Sequence, residues 1–363
     1  MQVKKLARTL LLLLLVSPTA IFSQHENEDH SSDNHEMKTE ELSESAIKSS
    51  ERKAYIKHHL QDSYDFTIWH EMGWEFPLPI VLWDEGLHIF SSSKFHHGES
   101  VAESSGNFYK IFHGKIYKTD SEGSITIDAH QHPVNGKPLD FSITKNVFVI
   151  MLMVLLILIV FMRYAKSYKN NLIPAKGGKF LEPLVLFIRD EIAIPNIGKK
   201  HHKKYMSYLL TVFFFIWFLN LAGMTPLGIT VTNNIAITFG LAIITFLMTL
   251  FTSKKNYWMH IFWMPGVPVP MKFLLAPIEL LGVFIKPFAL MIRLYANMTA
   301  GHIVIMSLIA LLYAFDNWLA KGAFLGLTLF LSVIELLVAF LQAYIFTMLT
   351  ALYFGAASDE GHH

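Results

Sequence analysis

Five side chains that bind protons or hydrogen-bond strongly lie inside two otherwise apolar stretches: Arg293, Asn297, His302, Glu335 and Gln342. The run MIRLYANMTAGHIVIM, Met291–Met306, is apolar enough to sit in lipid. An arginine at a bilayer centre costs between about 2.5 and about 17 kcal/mol, and such residues mark the routes of ions and protons. The nine residues from Arg293 to His302 make about two and a half helical turns, so the two point to opposite sides. One side carries a fixed cation and the other a titratable imidazole. Glu279, Lys286 and Arg293 are seven apart and share a face, and Asn297 stays near that stripe.

The second stretch brings its own pair. Glu335 and Gln342 are also seven apart. If the chain turns back near Trp318, Arg293 lies 25 residues before the turn and Gln342 lies 24 after it. His302 lies 16 before and Glu335 lies 17 after. An antiparallel hairpin thus predicts two polar levels, Arg293 with Gln342 and His302 with Glu335. A desolvated, coupled imidazole and carboxyl are what a proton relay needs. Plainer roles compete. Asn297 and Gln342 can act as interhelical glue, and Glu279 and Lys286 read as a structural ion pair or as snorkelling side chains near one membrane face.

The elements that position these residues follow from composition. The chain is 52% hydrophobic and 16% charged, against about 25% charged for a soluble domain. Its charge lies mostly before residue 146, so a water-soluble part precedes a polytopic membrane part. The expected class is mainly α, with five membrane helices including a long tilted hairpin, plus a small β-rich segment outside the cytoplasm. Net charge is +1, so no global field points to nucleic acid. With no cysteine, thiolate metal sites and cysteine nucleophiles are excluded. Twelve of the eighteen histidines precede residue 142, but HENEDH has i,i+5 spacing and no HExxH occurs. They read as a solvated histidine-rich segment, and no metal site is expected.

Residues 1–23, with Lys4, Lys5 and Arg8 before Leu10–Val16, read as a secretory signal peptide; the alternative is a retained first anchor. Residues 24–61 are polar and rich in His and acidic residues. Residues 62–142 read as a small β-rich domain. LPIVLWDEGLHIF predicts two strands around Asp84–Gly86, and KIYKTDSEGSITID two more around Asp120–Gly123, with Trp69, Trp74, Phe76, Trp83 and Phe90 as aromatic packing. Residues 143–358 form the membrane domain, and 359–363 a tail. Asn146–Met162 is the first span, followed by ten basic residues between Arg163 and Lys204. The positive-inside rule makes that loop cytoplasmic, in agreement with the leader. Further spans are expected near 206–224 and 234–252 and over Gly322–Gly355. Lys272–Phe315 would be about 66 Å long as a helix, so it must tilt, bend at Pro287 or lie partly in the membrane plane. The N-terminus is then outside and the C-terminus inside.

RLYANMTAGH with ELLVAFLQAYIFTMLTALY resembles the last two helices of subunit a of F-type ATP synthases, and FLNLAGMTP is similar to that family's middle helices. The resemblance covers roughly residues 140–358. It implies a non-catalytic stator subunit of a rotary proton motor in a bacterial inner membrane, with no cofactor. The implied partners are a c-ring, the peripheral stalk subunit b, the other synthase subunits, lipid and protons. Arg293 matches the family's essential arginine facing the ring, and Asn297 and Gln342 match its polar neighbours. His302 and Glu335 stand where some members carry Glu and His. The resemblance says nothing of residues 24–142. A secondary transporter would show internal repeats, and none is present; a membrane-anchored sensor or adhesion protein would leave the register of Arg293, His302 and Glu335 unexplained.

Overall fold

The computed structural model describes residues 62–358, apart from 70–73, 99, 129–132, 169–177, 226–229, 264, 265, 267 and 316. The expected leader, the polar segment 24–61 and the tail 359–363 lie outside the described residues.

Among the described residues eight short strands come first. β1 (Asp65–Trp69) and β2 (Trp74–Pro77) form an antiparallel pair. β3 (Pro79–Trp83) and β4 (Leu87–Ser91) flank the Asp84–Gly86 turn, as the sequence predicts, with Glu85 at φ 54. β5 (Ala102–Ser104), β6 (Asn107–Phe112) and β7 (Lys115–Thr119) make a meander. Its two turns, Ser105-Gly106 and His113-Gly114, have positive φ at both central residues, the backbone that matches strand twist. β8 (Leu139–Asp140) adds to the free edge of β3.

Two expectations are corrected. The stretch after Asp120 is not a strand; Ile127 makes only an isolated bridge to Pro133. The free edge of β7 is instead taken by a later loop: Lys118 N donates to Gly136 O at 2.8 Å and Asn135 Nδ2 to Lys118 O at 3.0 Å. Asp120 meanwhile curls the turn on itself by accepting from Ser124 N at 2.8 Å. The aromatic core also differs. Phe76 and Trp83 are 55% and 56% exposed, and the side chains of Trp69 and Trp74 lie outside those described. Strand alternation turns Ile80 and Leu82 inward and Trp83 outward. The core is Tyr64, Ile80, Leu82, Phe90, Phe95, Ala102, Tyr109 and Ile116.

Helix α1 (Lys145–Ser167) begins where the Thr144 side chain caps Val147 N. The segment expected as a basic loop holds α2 (Gly178–Phe187), a π-helical turn (Ile188–Ala193) and α3 (Ile194–Ile197). α4 (His202–Gly223), a 3-10 turn (Val231–Asn233) and α5 (Ile235–Thr252) follow, with Asn234 capping Ala236 N. α6 (Lys255–Phe262) is short. α7 (Val269–Ala314) has 46 residues and runs unbroken through Pro277 and Pro287; α8 (Trp318–Ser358) has 41. α1, α4, α5, α7 and α8 are long and apolar enough to cross a membrane, so the protein is multi-pass. At about 69 Å, α7 is more than twice the hydrocarbon thickness and cannot stand along the normal.

Leu209, Phe213, Phe214, Leu290, Leu294, Ala343, Phe346 and Phe354 bring α4, α7 and α8 into one core with Ile188 and Ile192 of the π turn. α8 crosses α3 at Gly355, where a Cβ would lie 1.9 Å from Asn196 O, so only glycine fits. The strands attach at the opposite end of α4, near Leu219. Phe66 and Leu78 pack with Val149, Leu219 and Val231, and Phe66 meets Phe148 edge-on at 5.2 Å.

Candidate functional site

The hairpin of α7 and α8 carries the polar residues in nearly the register counted from Trp318. Asn297 Nδ2 donates to Gln342 Oε1 at 3.0 Å. Gln342 therefore meets Asn297, one turn beyond Arg293, rather than Arg293 itself. On the second level Glu335 packs against α7 at Gly301, beside His302: a Cβ there would be 2.9 Å from Glu335 Oε1. Leu294, Met298 and His302 form the buried side of α7, while Arg293 and Asn297 lie on its exposed side. The opposition of cation and imidazole expected from helical spacing is thus present. His302 and Glu335 are each 8% exposed and Gln342 2%.

Glu279 and Lys286 share the stripe but no ion pair joins them among the described residues. Lys286 Nζ instead sits over the Tyr353 ring, 5.6 Å from its centroid. It lines a cavity of about 20 Å³ with Thr245, Thr249, Tyr257 and Tyr353, room for about one water.

A polar connection that spacing alone does not reveal runs from the strand side to this level. Thr232 Oγ1 donates to Asn220 Oδ1 at 3.1 Å, and Asn220 Nδ2 to Ala339 O at 3.4 Å. Ala339 is one turn from Glu335 on α8. Thr299 Oγ1 donates to Asn233 Oδ1, and Thr299 is one turn from His302 on α7. Asn220 and Thr232 are fully buried. The signal in the sequence is an asparagine in the charge-free run of α4 and the polar cluster TVTNN. Buried hydroxyls elsewhere differ in kind: Thr249, Thr347 and Thr350 bond to carbonyls four residues back in their own helices, and Thr245 does the same while also meeting Tyr208 Oη of α4 at 2.9 Å.

In the strand region Tyr109 donates to Asp84 Oδ2 at 3.2 Å and Lys118 pairs with the same oxygen at 3.0 Å. Burial, with Asp84 alongside, pushes the Tyr109 hydroxyl up to about 12. Hydrogen bonding to Asp84 raises Lys118. Among the described residues no group of acidic and histidine side chains could hold a metal ion.

Fold and site together define a polytopic membrane protein with an intramembrane polar track beside an outward-facing arginine. Residues 147–355 match the family described as ATP synthase A chain, and the chain belongs to that family. It is 40% identical over 252 residues to ATP synthase subunit a of Anaeromyxobacter sp., an alignment covering 65% of this chain and 61% of that relative. It is 41% identical over 231 residues to ATP synthase subunit a of Myxococcus xanthus, covering 62% and 76%. With ATP synthase subunit a 2 of Prosthecochloris aestuarii it shares 38% over 290 residues, covering 77% and 86%. The chain thus spans about three fifths of the Anaeromyxobacter relative's length and most of the Prosthecochloris one. Residues 55–141 match a domain of unknown function, DUF8433.

Proposed function

We propose that this chain is the stator subunit of the proton channel of a rotary F-type ATP synthase. The observation that carries the reading is the opposed placement on α7 of exposed Arg293 and of buried His302, level with Glu335 of α8. In this reading a c-ring, each subunit bearing one membrane carboxyl, turns against the exposed stripe of Arg293 and Asn297. One half-channel leads protons from outside through His302 and Glu335 to a ring carboxylate. Once neutral, that carboxyl can rotate into lipid. At the second half-channel, leading to the cytoplasm, Arg293 lowers the carboxyl's pKa and the proton leaves. A fixed cation between the channels also repels protons and prevents a direct leak. Each charge crossing 100 mV carries about 2.3 kcal/mol, which is the work available per step. A helix as long as α7 can follow the curved side of a ring over many ångströms, where an upright one would touch a narrow strip.

The proposal extends to the assembly and its orientation. Partners are the c-ring, the peripheral stalk subunit b, the other synthase subunits and lipid. No ATP chemistry occurs on this chain. Residues 1–23 serve as a signal peptide, the polar segment 24–61 and the β domain 62–142 lie outside the cytoplasm, 143–358 is the membrane domain, and the 359–363 tail is cytoplasmic in a bacterial inner membrane. Ring size and the choice of proton over sodium rest largely on the ring's own ligands.

The absence of cysteine supplies a clean test. Single cysteines replacing Ala296 or Ala300, exposed on the Arg293 side of α7, should form disulfides with a cysteine placed near the ring carboxyl. A cysteine replacing buried Met298 should not. Crosslinking from Met298→Cys alone would reverse the assignment of faces.

A further inference from the structure

The 3-10 turn Val231–Asn233 cannot hold its own position. It has three residues, and its backbone is closed by Asn233 N to Thr230 O and Asn234 N to Val231 O, both 3.1 Å. Yet its side chains do separate jobs at fixed places. Thr232 reaches Asn220, Asn233 takes the bond from Thr299, and Val231, fully buried, joins an apolar cluster of Phe66 and Leu78 from the strand region with Val149 of α1 and Leu219 of α4. The strand region is itself fixed at that point. Leu78 N donates to Ser92 Oγ at 3.0 Å, and Ser92 N donates to Leu78 O at 3.0 Å. Ser92 is 1% exposed and Leu78 is 1% exposed, so this clasp is shielded from water. The sheets are anchored to the membrane helices by a second contact, Lys145 N to Ser63 O at 2.8 Å, at the start of α1.

We propose that the strand region is a positioning element for proton uptake: Leu78 and Phe66 seat Val231 so that Thr232 and Asn233 engage Asn220 and Thr299 on the route to Glu335 and His302. The inference rests on the stator reading above and adds a role for a segment whose matching family has no known function. Val231 is the single apolar anchor of the turn. If the strand side of its socket is opened, the turn gains freedom that the two uncharged polar links and the helix side of the socket, Val149 and Leu219, only partly oppose. The consequence falls on proton transfer rather than on folding, because the α4, α7 and α8 core does not include Leu78 or Val231. Leu78 and Val231 are positioning residues, since neither side chain carries a group that could take up or release a proton.

The test uses the assembled synthase in inverted vesicles, with passive proton conductance and ATP-driven pumping read against complex abundance. A displacement of about half an ångström at the turn corresponds to about a tenfold loss of conductance, taking a 1 Å misplacement as about a hundredfold. Leu78→Ala should show that loss with the complex intact, and Leu78→Met should restore most of it. Should Leu78→Ala prevent assembly, Val231→Ala reports in its place with the same expected loss, and Val231→Ile gives the rescue. A double-mutant cycle separates positioning from general weakening. Leu78→Ala with Thr232→Ala should cost little more than either alone, because both act through one turn, whereas Leu78→Ala with a change at a distant site should add. Conductance within about twofold of the parent in an assembled Leu78→Ala or Val231→Ala complex, or plain additivity with Thr232→Ala, would overturn the inference. Arg293→Ala measured alongside keeps the two claims apart: if it abolishes pumping while the Leu78 series has no effect, only the positioning role fails.

Discussion

Replacing Gly301 by alanine perturbs the Glu335 carboxylate with a single methyl group. Glycine within a helix is about 1 kcal/mol less favourable than alanine, so at an open position the change would stabilise the helix. Gly282, on the same helix, is such a position, with nothing within 4 Å of a built Cβ. At Gly301 the methyl would lie 2.9 Å from Glu335 Oε1 and 3.3 Å from its carboxyl carbon. Carbon–oxygen contacts settle at about 3.3–3.6 Å, so the oxygen must retreat by about 0.4–0.7 Å. The end of a glutamate side chain can make that move, so the fold survives and the carboxyl's position does not. Scaled from about a hundredfold per ångström, Gly301→Ala should slow proton transfer about tenfold, and the larger Gly301→Val should slow it further. The assay is ATP-driven acidification of inverted vesicles together with passive conductance, normalised to assembled complex, with Gly282→Ala as the control expected near parental activity. Parental pumping by Gly301→Ala, in membranes where Glu335→Gln fails, would refute the idea that the carboxyl's place against α7 matters.

Other outcomes follow from the same geometry. Gly355→Ala should destabilise the α3–α8 crossing by about 3 kcal/mol, in the upper range for overpacking, because its Cβ would fall 1.9 Å from Asn196 O; lowered melting of the purified complex measures it, and a Gly355→Ala protein of parental stability would deny the close approach. Single removal of His302 or Glu335 should slow proton uptake, and the exchanged double variant His302→Glu with Glu335→His should recover part of it; no recovery with normal assembly counts against their acting as a pair. The Tyr109 hydroxyl, pushed up to about 12 from an ordinary value of about 10, contributes stability that is complete below pH about 10 and is lost as pH rises through about 12. The phenolate absorbance difference between the parent and Tyr109→Phe should therefore develop near pH 12, and its appearance near pH 10 would contradict the buried Asp84 contact.

Local patterns were readable where one rule dominates. Asp84-Glu85-Gly86 between two alternating apolar runs specified β3 and β4. Long apolar runs specified the crossing helices, and the stretch 205–253, which holds most of α4 and all of α5, carries no charge at all. Counting from Trp318 located the hairpin register to within about one turn, since helical rise is constant. What escaped depends on contacts distant in sequence. Asn220 reaches Ala339 across 119 residues, and no local pattern announces that partner. The edge of β7 is claimed by Asn135 and Gly136, which turned an expected hairpin into a loop. The π turn with buried Ile188 and Ile192 lay inside what read as a basic loop, because the lysines on either side mask its apolar face. Gly355 gave no sign that another backbone lies against it, since a glycine in a helix reads only as weakness.

The central claim is that the exposed cation of α7 couples ring carboxyls to proton release. Its most direct measurement is ATP-driven proton pumping by the complex carrying Arg293→Ala or Arg293→Lys, with abundance of the assembled complex read in the same membranes. Arg293→Ala should abolish pumping with assembly retained. Arg293→Lys should be severely impaired, because an ammonium lacks the delocalised fork-shaped charge and loses its proton when desolvated. Normal pumping by an assembled Arg293→Ala complex would contradict the account.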